Sequence, residues 1–183
     1  PGKYAFNTYA GKVSIVPTTN FILKWTKGEV GSHKFDENLT EVSLITKDAF
    51  EPSLPLSVVV HIDYRKAHLV IQRFGDIKKL VEQTLDPMVS AYFKNIGQTR
   101  TLIQLIQDRS NIQSQSSQEM KEKFDLYNLE LQEVLIGTPT SGAPGGQIEQ
   151  ILIQLRSRQI ANEQVETYER QENAAVKERE LRE

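Results

Sequence analysis

The chain has 183 residues, with 22 Lys and Arg against 24 Asp and Glu, a formal charge of -2 and no cysteine. The balanced charge removes any argument for a strongly basic surface that binds nucleic acid, and the lack of cysteine excludes disulfides and thiolate chemistry. No apolar stretch approaches the about 20 residues that a membrane-spanning helix needs. Because the sequence begins at Pro1 rather than Met, we interpret it as part of a longer protein. Any signal or membrane anchor would then lie outside these residues.

Short runs rich in β-branched and aromatic residues occupy the first third of the chain. They predict strands over residues 12–16, 20–25 and 42–46. The strongest strand pattern covers residues 54–64, because its apolar side chains all fall on even positions and so share one face. A half-buried antiparallel strand is expected there. The side chains on that face are Leu54, Leu56, Val58, Val60, Ile62 and Tyr64.

Helical spacing begins after this strand. Apolar residues recur at steps of three or four over residues 77–96, which predicts an amphipathic helix. Asp86 and Pro87 interrupt the pattern, either as the N-cap and first residue of a second helix or as a kink in one helix. Thr101 and Gln104 have the spacing of a capping box at the start of a further helix.

One more helix and one late strand complete the first part of the chain. Apolar residues predict a helix over residues 112–124, and residues 127–136 form the pattern of a closing strand. The alternation shifts between Leu131 and Val134, which requires a β-bulge. Strands first and helices after them, with a single late strand, predict an α+β fold.

Residues 137–146 are all Gly, Pro, Ala, Ser or Thr, and they predict a linker between two parts of the chain. We expect an α+β domain over residues 1–136 and a long charged helix over residues 147–183, which contain neither Pro nor Gly.

The apolar residues of this helix are too few for a packed core and do not follow a clean heptad. A coiled coil or a helix array is therefore favoured over a solvated single helix. The residues predicted to mediate this association are Ile148, Ile151, Leu152, Leu155, Val165, Tyr168 and Val176.

The sequence offers no convincing catalytic or ligand-binding constellation. His61, Asp63 and His68 come nearest to a metal site, but no fourth donor stands at a recognisable spacing. The motifs of serine hydrolases and of phosphate-binding loops do not occur. We therefore expect no catalytic residue, no metal and no cofactor.

The order of features along the chain is typical of one family. A Pro-Gly-x-Tyr opening at residues 1–4 leads into short strands, and residues 46–50 precede the strand that ends over residues 61–65. Helices that include residues 105–110, a leucine-rich closing strand and a helix rich in Glu, Gln, Arg and Ala follow.

In this order the chain resembles the SPFH domain, also called the prohibitin-homology or band 7 domain, of the stomatin, prohibitin, flotillin and HflK/C proteins. The resemblance covers residues 1–136, and residues 147–183 are similar to the start of the long helix that follows the domain. A flotillin- or prohibitin-like member from a bacterium is expected. The absence of cysteine departs from a flotillin-style palmitoyl anchor within this segment.

The resemblance implies a non-catalytic scaffold, attached to a membrane through an anchor outside these residues, with the domain on the cytoplasmic side. Family members assemble side by side into rings or cages that delimit membrane microdomains. The expected partners are further copies of the chain and the membrane, and no nucleic acid. The alternative is a regulatory subunit that binds and restrains a membrane protease or another integral membrane protein.

Overall fold

The computed structural model describes residues 11–141 and 146–182. The opening motif at residues 1–4, residues 142–145 of the predicted linker and Glu183 lie outside the described residues. The chain divides into two compact units, Pro1–Pro139 and Thr140–Glu183.

Strands and helices of the described residues form an α+β architecture, which confirms the predicted fold class. The first unit contains β1 (Phe21–Trp25), β2 (Val42–Ser43), β3 (Ser53–Leu54), β4 (Leu56–His61), α1 (Ala67–Phe74), α2 (Ile77–Leu80), a π-helical turn (Val81–Leu85), α3 (Asp86–Thr99), α4 (Leu102–Gln107), α5 (Arg109–Asp125) and β5 (Glu130–Ile136). The second unit contains α6 (Gln147–Arg182).

An antiparallel sheet with the strand order β1-β4-β5 forms the centre of the first unit. As predicted, the even positions of β4 face the core, and Val58, Val60 and the following Ile62 are fully buried. The prediction is wrong for Tyr64, which is 74% exposed. The strand ends at His61, and the chain then turns, with the Lys66 N–H donating to the Asp63 carbonyl.

The single strand predicted over residues 54–64 is divided at Pro55. β3 pairs with β2 in a separate two-stranded sheet, whereas β4 pairs with β1 and β5. Proline has no N–H to donate to a ladder, so it stands where the chain passes from one sheet to the other. Its carbonyl accepts a hydrogen bond from the Gly137 N–H at 2.8 Å.

Residues 12–16 form no strand, contrary to the prediction. The side chains of Val13 and Ile15 are 59% and 87% exposed, and Val16 is only partly buried against the core, so little burial is available to stabilise an extended strand here. The strand predicted over residues 42–46 is also shorter, since β2 ends at Ser43 and the chain turns back at residues 46–50.

Side chains rather than another strand satisfy the outer edge of β1. The Lys24 N–H donates to the Asp36 carboxylate at 3.0 Å, and Nε2 of His33 lies 2.9 Å from the Ile22 carbonyl oxygen. The Phe35 N–H donates to Nδ1 of the same ring, so Nε2 carries the proton and donates. These contacts occupy the backbone groups that an added strand would need.

The outer edge of β5 is closed in a similar way by α5. The Val134 N–H donates to Oγ of Ser117 at 3.2 Å, and the Ile136 N–H donates to Oε1 of Gln113 at 2.8 Å. The sheet therefore offers no continuous edge at which a further copy could add a strand.

Asp86 and Pro87 do not begin a separate helix, so the N-cap alternative is wrong. The backbone of Asp86 is helical, and its N–H reaches back five residues to the Val81 carbonyl. The helical run thus continues from α2 through the π-helical turn into α3. The wide turn immediately before Pro87 accommodates the proline near the start of α3.

Two local predictions are confirmed in atomic detail. Gln104 donates its N–H to Oγ1 of Thr101 at 3.2 Å, and Thr101 donates its N–H to Oε1 of Gln104 at 3.0 Å, which is a capping box. In β5, Glu133 lies opposite Val59 whereas Leu131 lies opposite Val60. The one unpaired residue between them is the predicted β-bulge.

The core of the first unit lies between the inner face of the sheet and the helices. Its largest fully buried side chains include Trp25, Phe93 and Phe124. The indole Nε1 of Trp25 donates to Oδ1 of Asp86 at 2.9 Å, which joins β1 to the start of α3. Oγ of Ser90 donates to the same oxygen at 3.1 Å.

Candidate self-association surface

α6 is the longest element of the described residues. Its 36 residues extend about 54 Å at 1.5 Å per residue. Near its start, the N–H and Oγ of Ser141 donate to the Glu149 carboxylate at 2.9 and 2.6 Å. These hydrogen bonds lower the pKa of Glu149 and attach the first turn to the residues that precede it.

The exposure of α6 changes abruptly along its length. Ile148 is the only buried residue of the helix, and Ile151, Leu152 and Leu155 are half-buried. All residues over 156–182 are exposed. The seven residues predicted to mediate association therefore fall into two groups. Four lie in the first turns of α6 and are buried or half-buried, and the other three are exposed to solvent. Those three are Val165, Tyr168 and Val176, at 56%, 71% and 49% exposure.

The prediction missed three large apolar side chains on the same helix. Ile153, Ile160 and Leu181 are 61%, 56% and 86% exposed. Together with Thr167 and Ala174 they recur at every seventh position, and we call these five residues the heptad row. The regular spacing of seven is the sequence signal that could have found them.

A second series of apolar residues lies on a different face of α6. We call it the second row, and it consists of Ala161, Val165, Tyr168 and Val176. At 100° per residue, its mean direction lies roughly 140° from that of the heptad row. A helix with one apolar seam suits one neighbour, whereas two separated rows suit one neighbour on each side.

The charges of α6 do not oppose the association of parallel copies. Over residues 156–182 the helix carries six Glu and six Lys or Arg, so this stretch has no formal net charge. Neighbouring copies would therefore meet mixed charges rather than a single sign.

The histidine and carboxylate residues closest to a metal-site pattern are engaged separately. Asp63 binds the Arg65 guanidinium at 2.8 Å, and Nε2 of His61 lies 3.9 Å from the Glu130 carboxylate. His68 lies on α1 and is exposed. Over residues 11–141 and 146–182, no three His, Asp or Glu side chains group as metal ligands.

We expect the Asp63–Arg65 pair to make stability depend on pH in the acid range. Hydrogen bonds from the Arg65 side chain and N–H lower the pKa of Asp63 from 3.8 to about 2. Because the folded pKa is the lower one, the stabilisation is present above the unfolded value and is lost as the pH falls towards 2. The unfolding temperature of the wild type should therefore be higher than that of Asp63→Asn at pH 6, and the two temperatures should converge near pH 2.

An exposed carboxylate provides the control for this measurement. Glu51→Gln should change the unfolding temperature little at any pH, because Glu51 is exposed. If the unfolding temperatures of the wild type and Asp63→Asn differed by the same amount from pH 6 to pH 2, the lowered pKa of Asp63 would be contradicted.

No helix in the described part of the chain is both long enough and apolar enough to span a membrane. The model of the SPFH domain / Band 7 family matches residues 1–180, which is nearly the whole chain. The chain belongs to the SPFH domain / Band 7 family. A search of the curated proteins found no match.

The family assignment confirms the resemblance drawn from the order of sequence features, without choosing between a flotillin-like and a prohibitin-like member. Proteins with SPFH domains are commonly membrane-associated and generally act as scaffolds rather than as enzymes. The roles predicted for the α6 residues stay predictions.

Proposed function

We propose that this SPFH protein is a non-catalytic scaffold on the cytoplasmic side of a membrane. Its copies associate side by side into rings or cages that organise membrane microdomains. The observation that carries the proposal is the exposure of residues 156–182 of α6 together with two apolar rows on that stretch.

The exposed stretch of α6 is costly in water without a partner. Most helical stability in proteins comes from packing an apolar face, and isolated helices are marginal even with good intrinsic propensity. Ile160 and Leu181 are 56% and 86% exposed, and full burial of such a side chain contributes about 1.5–3 kcal/mol. Neighbouring helices can supply that burial.

The arrangement of the rows favours a ring or wall over an isolated pair. If the heptad row of one copy packs against the second row of the next, each helix has a neighbour on both sides. Such a head-to-tail interface generates a ring when the rotation between copies closes. The blocked edges of the sheet are consistent with assembly through helices rather than through added strands.

Sedimentation across a concentration series tests this proposal. The full chain is expected to form larger species as its concentration rises, whereas a chain that stops at Gly146 is expected to remain monomeric. Since Pro1–Pro139 forms a compact unit, the shorter chain should keep its cooperative unfolding transition, which circular dichroism can check.

The outcomes distinguish the two candidate functions. If both chains remain monomeric at high concentration, self-assembly through α6 is overturned. The result would then favour a regulatory subunit that binds a membrane protease or another integral protein. Substrate turnover by the purified chain would contradict a non-catalytic role.

A further inference from the structure

The solvent-facing side of α1 and the residues next to it form a basic and apolar surface on the first unit. Residues 64–75 contain three Lys or Arg and no Asp or Glu. Val70 is the fully buried residue of α1, and Ala67, Ile71 and Phe74 pack beside it against the core. The outward face of the helix is therefore left with basic and polar side chains and with one leucine, Leu69.

Exposed apolar side chains lie among these basic residues. Tyr64 and Leu126 are 74% and 71% exposed, and Leu69 is 39% exposed. Arg73 joins the two segments, because its Nη1 donates to the Leu126 carbonyl at 3.1 Å. Leu69 lies one turn before Arg73 on α1, and Lys66 is the N-cap residue seven positions before Arg73. We call Tyr64, Lys66, Leu69, Arg73 and Leu126 the α1 patch.

The positive charge of the patch is only partly neutralised by its surroundings. Arg65 is paired with Asp63, and the carboxylates of Asp125 and Glu130 border the patch in the sequence around Leu126. Lys66 and Arg73 form no ion pair with any described carboxylate. Lys66 is thus a cation without a carboxylate partner. Arg73, whose guanidinium also lies 5.0 Å from the centre of the Tyr127 ring, likewise keeps a positive charge that no carboxylate pairs.

The exposed apolar residues on the outer face of the sheet lack this charge pattern. Ile22 and Leu135 lie on the outer face of the sheet, at 44% and 38% exposure. Lys24 beside Ile22 is paired with Glu29, and Glu133 lies two residues before Leu135. That face therefore presents no net positive charge, which distinguishes it from the α1 patch.

We infer that the α1 patch is the surface by which this SPFH domain contacts an anionic lipid bilayer. Tyrosine and leucine can enter the region of the lipid headgroups, while lysine and arginine extend their charged ends to the phosphates. The inference rests on the proposed association with a membrane and deepens it by naming the lipid class and the contacting residues.

Co-sedimentation of the full chain with lipid vesicles tests the inference. Binding is expected to vesicles of phosphatidylcholine that contain phosphatidylserine, to weaken as salt is raised, and to be absent with phosphatidylcholine alone. Lys66→Gln should lower the partition coefficient about fivefold, because one basic residue near an anionic surface contributes about that factor. Adding Tyr64→Ser and Leu126→Ser should lower it further.

A matched pair of substitutions away from the patch provides the control. Lys47→Gln and Ile45→Ser change the same types of exposed side chain in the turn that follows β2, and they should leave vesicle binding unchanged. The substituted positions of both the patch and the control variants are exposed, so thermal unfolding should show that each variant keeps its fold.

Three results would overturn the inference: no binding to anionic vesicles, equal binding to phosphatidylcholine alone, or equal losses for the patch and control variants. If vesicle binding fails while sedimentation still shows self-association, the patch inference falls and the scaffold proposal stands. If patch-dependent binding occurs while the chain stays monomeric, assembly through α6 falls and the lipid contact stands.

Discussion

Ile160→Ser combined with Leu181→Ser is expected to weaken self-association of this SPFH protein at least about 100-fold. Both side chains belong to the heptad row and are exposed in the single chain, so a neighbouring helix is available to bury them. Losing two such buried side chains costs about 3–6 kcal/mol, which corresponds to a factor of about 100 or more in affinity. Sedimentation equilibrium of each variant measures the change.

The second row should respond in the same way. Val165→Ser combined with Tyr168→Ser removes its aromatic side chain and one of its two valines, and a comparable loss of affinity is expected. Gln159→Ser with Asn173→Ser is the matched control, because these polar positions lie away from both rows on the same exposed helix.

The pattern of losses decides how copies meet. Losses in both rows support contacts on two sides of each helix, as a ring or wall requires. A loss in one row alone would mean a single seam and would contradict the two-sided arrangement. If the variants of both rows associate as strongly as the wild type, α6 is not the element through which copies assemble.

Trp25→Ala is expected to lower the free energy of unfolding by about 3–5 kcal/mol, the range measured for large aromatic residues in cores. Trp25 is 0% exposed, and its indole N–H donates to the Asp86 carboxylate across the gap between β1 and α3. Urea unfolding followed by circular dichroism measures the loss, since the substitution removes the one tryptophan.

Two further variants separate packing from the hydrogen bond. Trp25→Phe keeps most of the ring but leaves Asp86 without the indole donor, so about 1–3 kcal/mol should be lost. In a chain that already carries Asp86→Ala, the same substitution should cost less. Tyr64→Ala is the exposed aromatic control and should stay within about 0.5 kcal/mol of wild type. If Trp25→Phe lowered the free energy of unfolding equally with and without Asp86→Ala, the hydrogen bond from Trp25 to Asp86 would not contribute to stability.

Local patterns in the sequence were sufficient for several elements. The alternation of β4 depends on a side-chain period of two, the capping box on residues three positions apart, and the bulge in β5 on one shift of alternation. Each of these features depends on residues that are close in the sequence, so each could be predicted without knowledge of the fold. The helical character of α6 likewise follows from a long stretch without Pro or Gly.

Other features depend on distant partners, and the sequence pattern alone misjudged them. Residues 12–16 have strand-forming side chains, yet Asp36 and His33 occupy the edge of β1. The alternation of residues 54–64 continues through Pro55 although the backbone there passes between two sheets. Such outcomes depend on which hydrogen-bond partners the fold brings together.

The sequence by itself determined the α+β order, the core face of β4, the capping box and a charged final helix with too few apolar residues for a core. Only the tertiary structure decided which side chains remain exposed, because burial depends on contacts between residues far apart in the chain. It placed Leu126 beside Arg73 to form the α1 patch and left residues 156–182 of α6 without cover. Both candidate surfaces of this SPFH protein follow from that long-range packing.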